Sequence, residues 1–316
     1  MNRPAIVAAI VVALVLLALV PWIATPSLIQ FGISTLLMAT LAQSWNIIGG
    51  YTGYASFGNS VFYGLGSYGV AIAMVQWHLP FGVGLALGAV LAVLFALLIG
   101  LPVLRLRGHY FAICTLALAE VMTAIVSNLE IAGRNTGLVL PLLRGDALFY
   151  ELALGLLVLT TLAVIYIARS RFGFGLIAIR ENEEAAAVMG VDTTRYKVAA
   201  FAISGFFTSL AGGIHAYWIT FLDPVSAFDI TLNVKMIIMA VFGGPGSIFG
   251  PVVGAFLLSA ISEVLSTKIS TLASLFFGFV IVVAVVFMPR GLADFGRRFR
   301  TVGWRYFAEN VRRHRL

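Results

Sequence analysis

Runs of about twenty uninterrupted apolar residues recur along this chain. A water-soluble fold has nowhere to bury so many of them. Lipid leaves two ways to satisfy every backbone group, the α-helix and the closed β-barrel, and a barrel needs short segments of alternating polarity instead of long continuous ones. The runs predict helices near residues 5–24, 28–48, 59–77, 82–104, 109–129, 149–169, 198–221, 230–243, 249–266 and 271–288. The expected fold is an all-α polytopic membrane protein of about ten transmembrane or half-membrane helices. The stretch 230–243 is too short to span comfortably, which predicts a half-helix or one arm of a re-entrant pair.

Composition agrees. Of 316 residues, 61% are hydrophobic and 10% charged, against about 25% charged in soluble domains, and the mean hydropathy is +1.03. The net charge of +7 does not make this a nucleic-acid reader, because the cations fall in loops beside the spans. With the N-terminus inside, the cytoplasmic segments collect Arg3, Arg105, Arg107, Arg169, Arg171, Arg180, Arg195, Lys197 and eight arginines from Arg290 to Arg315. The opposite side receives Arg134, Arg144 and Lys268, and Lys235 falls within a span. The positive-inside rule therefore predicts that both termini are cytoplasmic. The first run, with Arg3 before it and the small Ala24 at its end, resembles a signal peptide, but spans follow at once and a retained helix is expected.

Catalytic motifs are missing from the sequence. The glycine-rich run Gly243, Gly244, Pro245, Gly246, Ser247 has no lysine after it to reach a phosphate, so ATP hydrolysis is not expected of this chain. HExxH and GxSxG are absent, and His78, His109, His215 and His314 lie on different segments. The single cysteine, Cys114, rules out a disulfide framework or a cysteine-based metal site. No cofactor is expected.

The inside loop 170–197 contains FGFGLIAIRENEEAAAVMGVDTTRYK. Glu181, Glu183 and Glu184 suit the N-terminal end of a short helix, Ala185 to Met189 are good helix formers, Gly190 suits the residue after the helix, and Asp192 suits a cap on the next one. A short exposed helix with a small alanine face is shaped to dock in another protein's groove. A solvated connecting helix is the alternative.

These residues carry a resemblance. Glu184, Ala185, Ala186 and Gly190 are similar to the EAA…G coupling segment of ABC importer permeases, with a shorter spacing to the glycine than the commonest form. Three more stretches, GGYTGYASFGNSVFYGLGSYG (49–69), TLALAEVM (115–122) and VFGGPGSIFGPVVGA (241–255), follow in order. Together they resemble the LivM-type permeases of branched-chain amino acid ABC transporters, over nearly the whole chain. The resemblance implies a type II-like ABC importer architecture in a bacterial inner membrane, with Glu183, Glu184, Ala185, Ala186 and Gly190 coupling to the ATPase. It also implies the partners: a second, LivH-type permease, two cytoplasmic ATPase subunits and an extracytoplasmic binding protein. The substrate expected is a branched-chain amino acid; urea or short amides through an ABC permease, and an ion-coupled secondary transporter, are the alternatives.

Two features mark a candidate translocation path. The glycines from Gly49 to Gly69 are too dense for an uninterrupted helix, and Gly243, Gly244, Pro245 and Gly246 would break one outright. Unwound backbone at membrane depth survives only inside protein or beside a water-filled cavity. Lining of the path and close helix packing are both open readings of these glycines. The second feature is intramembrane charge at Glu120, Lys235 and Glu263, each expected to face inward, since an ionised side chain at the bilayer centre costs roughly 3 kcal/mol or more. A Glu120–Lys235 ion pair is the simplest expectation. Gln43, Asn46, Ser56 and Asn59 are expected to bond across helices or line a polar path.

Residues 1–290 thus form one transmembrane permease domain, followed by a basic cytoplasmic tail, 291–316. In the tail, Phe295, Phe299, Val302 and Tyr306 share one helical face among many arginines, the pattern of a helix lying along membrane lipids at the interface. A peptide covering 291–316 is expected to gain helicity on vesicles containing anionic lipid and to release as salt rises. A peptide that stays unbound and unstructured on such vesicles would leave the arginines only their topological role.

Overall fold

A computed structural model describes residues 17–143 and 145–268. The α-helices among these residues are α1 (Pro26–Trp45), α2 (Asn59–Val75), α3 (Phe81–Val103), α4 (His109–Asn128), α5 (Asp146–Arg169), α6 (Arg171–Glu181), α7 (Glu183–Val188), α8 (Thr193–Ile219), α9 (Pro224–Ala227), α10 (Ile230–Gly243) and α11 (Gly250–Lys268). Residues 17–23 are also helical. Six stretches of the described residues are long and apolar enough to cross a membrane: 26–50, 81–103, 109–128, 146–169, 193–219 and 224–243. The expected segment 271–288, the tail and most of the first run lie outside the described residues.

Three helices of the second half begin at aspartate caps. Asp192 accepts from the Arg195 N–H, Asp223 from Ser226 and Asp229 from Thr231, each satisfying one of the N–H groups that a helix start leaves unpaired. Because Asp192 starts α8 five residues before the apolar run does, Arg195 and Lys197 lie in a helix and not in the loop where their charge alone puts them.

The packing inverts the soluble pattern. On α3 the buried residues include Gly84, Gly88, Ala89, Ala92, Ala96 and Gly100, while Val90, Leu91, Leu94, Leu97, Leu98 and Leu101 are exposed. Lipid is as apolar as leucine, so burying leucine gains little there, and close backbone approach gains dispersion contacts. The long α8 is the axis of this packing, with α2 and α3 against it and α1 and α5 beside them. Its glycines and those of α2 let the backbones touch: a Cβ at Gly66 would overlap the Ser209 carbonyl, and one at Gly212 the Tyr63 carbonyl. The glycine density of 49–69 does not stop α2, which runs unbroken through Gly64, Gly66 and Gly69. The break lies earlier, at residues 53–58.

At the end opposite the arginine-rich loops, β1 (Leu138–Val139) pairs antiparallel with β2 (Phe221–Leu222), Leu138 facing Leu222 and Val139 facing Phe221. This ladder ties the loop before α5 to the end of α8. The chain then turns inward: Phe228 packs over Gly64 and stacks on Tyr68, and Asn233 donates to the Phe57 carbonyl and to Ser60. The first turn of α10 is thus level with the start of α2. At 14 residues, about 21 Å, α10 alone falls short of the roughly 30 Å hydrocarbon core; only together with α9, as the stretch Pro224–Gly243, does it reach the length of a span.

Gly66→Ala forces the Ser209 backbone aside, and a loss of about 1–3 kcal/mol is expected, the range for overpacking. Gly155→Ala on α5, where an added Cβ meets nothing within 4 Å, is expected to be neutral or stabilising. Thermal unfolding in detergent compares them, and equal effects would remove backbone contact as the organising feature of α2 and α8.

Candidate functional site

Three interruptions of the helices meet at the cytoplasmic end. After α1 the chain makes one π-helical turn, Asn46–Gly50, and then opens at Gly53, whose φ is +76°. The second interruption is the elbow between α10 and α11, where Gly246 has φ +76°. The third is the sequence α6, α7, α8 that makes up the inside loop.

Asn46 joins the first two. Its Nδ2 donates to the Ser247 carbonyl at 2.9 Å and its Oδ1 accepts from the Gly246 N–H at 2.7 Å, while Gln43 donates to the Ile248 carbonyl at 2.7 Å. Backbone that helix breaking leaves unpaired is satisfied by side chains. Arg180 of α6 adds the third: its Nη1 donates to the Gly50 carbonyl at 3.0 Å and lies against Gly246. The elbow is close-packed as well, since a Cβ at Gly243 would overlap the Gly250 carbonyl and one at Gly254 the Met239 carbonyl.

The inside loop is built from two caps and one glycine. Asn182 breaks α6 and caps α7, accepting from the Ala185 N–H at 3.0 Å; Glu181 therefore ends α6, and the short helix starts at Glu183. Gly190 takes φ +89° just past α7, and the Val191 N–H returns to the Ala186 carbonyl at 3.0 Å. Ala186 is buried, whereas Ala185 and Ala187 are exposed and Val188 and Met189 are 88% and 84% exposed. Two apolar side chains are thus left uncovered at the end of α7.

The other end of α7 is clamped. Lys197, 3% exposed, donates to Glu183 Oε1 at 2.7 Å, to the Leu104 carbonyl at 2.8 Å and to the Tyr54 hydroxyl at 3.1 Å, with its ammonium 4.6 Å from the Tyr54 ring centre. The Tyr54 hydroxyl donates to Glu183 Oε2, and Arg107 binds Glu184 at 2.8 Å. Burial acts to raise the Glu183 carboxyl, but the hydrogen bonds from Lys197 and Tyr54 and the charges of Lys197 and Arg107 outweigh it and hold the group below its ordinary range. Burial first, then the hydrogen bond to Glu183 and its charge, push the Tyr54 phenol well above its usual value. Glu183 is thus the anion and Tyr54 the donor, in a cluster that joins α7 to the ends of α3 and α8 and to the segment before α2.

The polar residues expected along a path are buried. Asn59 donates to Ser204 and Thr208 on α8, and Ser56 accepts from the Gly58 N–H while its carbonyl accepts from the Trp45 indole. The charged residues do not meet. Glu120 is exposed on α4 instead of facing inward, Lys235 is half-buried on α10, and no ion pair joins them among the described residues. Glu120 sits on the exposed face of its helix, an orientation that its spacing in sequence does not reveal. Glu263 is exposed on α11. Tyr54, Arg180, Lys197 and Asn233 were not singled out from the sequence. Charge alone makes Lys197 a loop cation, and its place at the edge of an apolar run is the one hint of burial that the sequence offers.

The family described as branched-chain amino acid transport system / permease component matches residues 27–285. The high-affinity branched-chain amino acid transport system permease protein LivM of Escherichia coli (strain K12) is 28% identical over 319 residues, covering 90% of this chain and 75% of that one. The Salmonella typhimurium protein of the same name is 28% identical, covering 88% and 72%. The autoinducer 2 import system permease protein LsrC of Yersinia enterocolitica is 29% identical over 220 residues, covering 62% and 58%. No solved structure matches.

Lys197→Met leaves the Glu183 carboxylate with only Tyr54 and Arg107 as partners, and a loss of about 1–3 kcal/mol is expected, with the Glu183→Gln, Lys197→Met double variant milder than the sum. Because the folded Glu183 lies below its ordinary 4.5, its stabilisation is complete above that pH and fades as the pH falls through the lower folded value. Thermal unfolding of the four proteins from pH 7 down to about 3 measures both effects. Strict additivity would mean that the pair does not act as one unit.

Proposed function

Since the chain belongs to the branched-chain amino acid transport system / permease component family, we propose that it is a LivM-type permease subunit that passes branched-chain amino acids inward through an ATP-driven importer of a bacterial inner membrane. It is a multi-pass transport permease and not an enzyme. The observation that carries the substrate reading is similarity to two LivM proteins over about nine-tenths of the chain. The shorter match to LsrC marks how far the family's cargo ranges, and keeps other small polar solutes, urea and short amides among them, as the alternative. A stand-alone ion-coupled transporter falls away with the family, and the separation of Glu120 from Lys235 removes the charge pair on which that reading leaned.

The partners follow from what this chain lacks and what it presents. Energy comes from two ATPase subunits, capture from an extracytoplasmic binding protein, and the other half of the membrane path from a LivH-type permease. Helix α7 offers the ATPase a hydrophobic tip, Val188 and Met189, on a rigid stub. Glu183 and Lys197 carry its displacement to the Leu104 carbonyl and hence to α3, while Arg180 carries that of α6 to the π-turn and the elbow. Glu184, Ala185, Ala186 and Gly190 belong to the same coupling segment.

Gly190 is the sharpest test of coupling, because an added Cβ there meets nothing within 4 Å and only the left-handed φ resists a side chain. Gly190→Val is expected to insert normally yet lose most ATP-dependent uptake and ATPase stimulation, and Gly190→Asn, which tolerates this conformation, to retain much of both. Reconstitution with the three partner types, scored for uptake of leucine, isoleucine, valine and urea, reads substrate and coupling together. Uptake of urea alone would replace the substrate, and full activity in Gly190→Val would remove the loop from the mechanism.

A further inference from the structure

A cleft opens at the level where α10 begins, between α1, α2, α8 and α10, with about 140 Å³ of space. At the ~10–15 Å³ that one water needs, it holds roughly ten waters, the scale of a small amino acid. Lys235 and Asp229 both line it, and Leu37, Met38, Leu41 and Leu232 supply an apolar wall. The two charges are not spent on each other: no ion pair among the described residues includes either. Asp229 Oδ1 caps α10 by accepting from the Thr231 N–H at 2.8 Å, which leaves its second oxygen for another donor. The frame is held in place, since Asn233, one turn into α10, is fully buried and bonded to Phe57 and Ser60.

A cation and a carboxylate that share one cleft without touching, beside aliphatic side chains, match a free α-amino acid with an aliphatic side chain: carboxylate to Lys235, ammonium to Asp229, side chain to the leucines. We propose that this cleft is a transient substrate site within the membrane, recognising the zwitterionic head group. It rests on the substrate reading above and adds to it a place and two recognition residues. It also accounts for Lys235, a half-buried cation within the apolar helix α10 that no ion pair among the described residues neutralises.

The test uses the complete complex without its binding protein, in a Cys114→Ser background carrying Ser34→Cys at the mouth of the cleft. Millimolar leucine is expected to slow maleimide labelling of Cys at that position at least five-fold. Isopentylamine, which lacks the carboxylate, and 4-methylpentanoate, which lacks the ammonium, are expected to give no protection. Lys235→Met and Asp229→Asn, the latter keeping a capping side chain, should each abolish protection, and Lys235→Arg should restore it. In uptake assays with the binding protein saturating, Lys235→Met is expected to fall at least ten-fold and Lys235→Arg to stay within three-fold of the parent. A complex that imports leucine but shows no protection, or equal protection by all three compounds, overturns the cleft alone. A complex that imports no amino acid overturns the substrate reading and the cleft with it.

Discussion

One asparagine holds the cytoplasmic half of this protein together. Asn46 spends both ends of its amide on the elbow between α10 and α11, donating to Ser247 and accepting from Gly246. Lipid makes that arrangement obligatory, since a broken helix at membrane depth must find protein partners for the groups it frees. Through Gly50 and Arg180 the same junction reaches the inside loop, so the position of α10, the course of the chain after α1 and the seating of α6 depend on one another. A change at any of the three is felt at the other two.

Around this junction the protein uses small residues for contact and large ones for lipid. Backbones meet at Gly66, Gly212 and Gly243, and the leucines of α3 point outward. Much of the buried polarity is paired between helices: the Asn59 amide nitrogen with Ser204 and Thr208, Asn233 with Phe57 and Ser60, Lys197 with a carboxylate, a phenol and a carbonyl. Lys235, half-buried, instead lines a cleft that also contains an acidic residue.

Much of the architecture was readable from the chain. The apolar runs placed the described spans, and the turn chemistry of Gly190 and Asp192 marked the end of α7 and the start of α8, because each of these rests on local physics. Three-dimensional partnerships were not readable. Glu183 and Lys197 are fourteen positions apart with a glycine turn between them, and Arg180 finds a carbonyl 130 residues away; nothing in residue type marks such pairs. Glu120 and Lys235 looked paired because both are rare charges in apolar runs, and rarity says nothing about proximity. Gly66 and Gly243 looked alike as helix breakers, yet one sits inside an unbroken helix and the other at a helix end, since packing and not propensity decides which glycine interrupts.

The span between Asn46 and its partners has a consequence for biogenesis. The two sides of that junction are separated by 200 residues of chain, which a ribosome working at ~5–20 residues per second needs about 10–40 seconds to make. For that interval α1 resides in or beside the membrane with the Gln43 and Asn46 amides lacking their final acceptors and donors. The domain therefore cannot mature helix by helix as spans emerge. Its cytoplasmic half closes only after residue 248 has been delivered, a long-range closure of the kind that makes folding slow, and until then the early helices depend on whatever the insertion machinery offers to a polar amide.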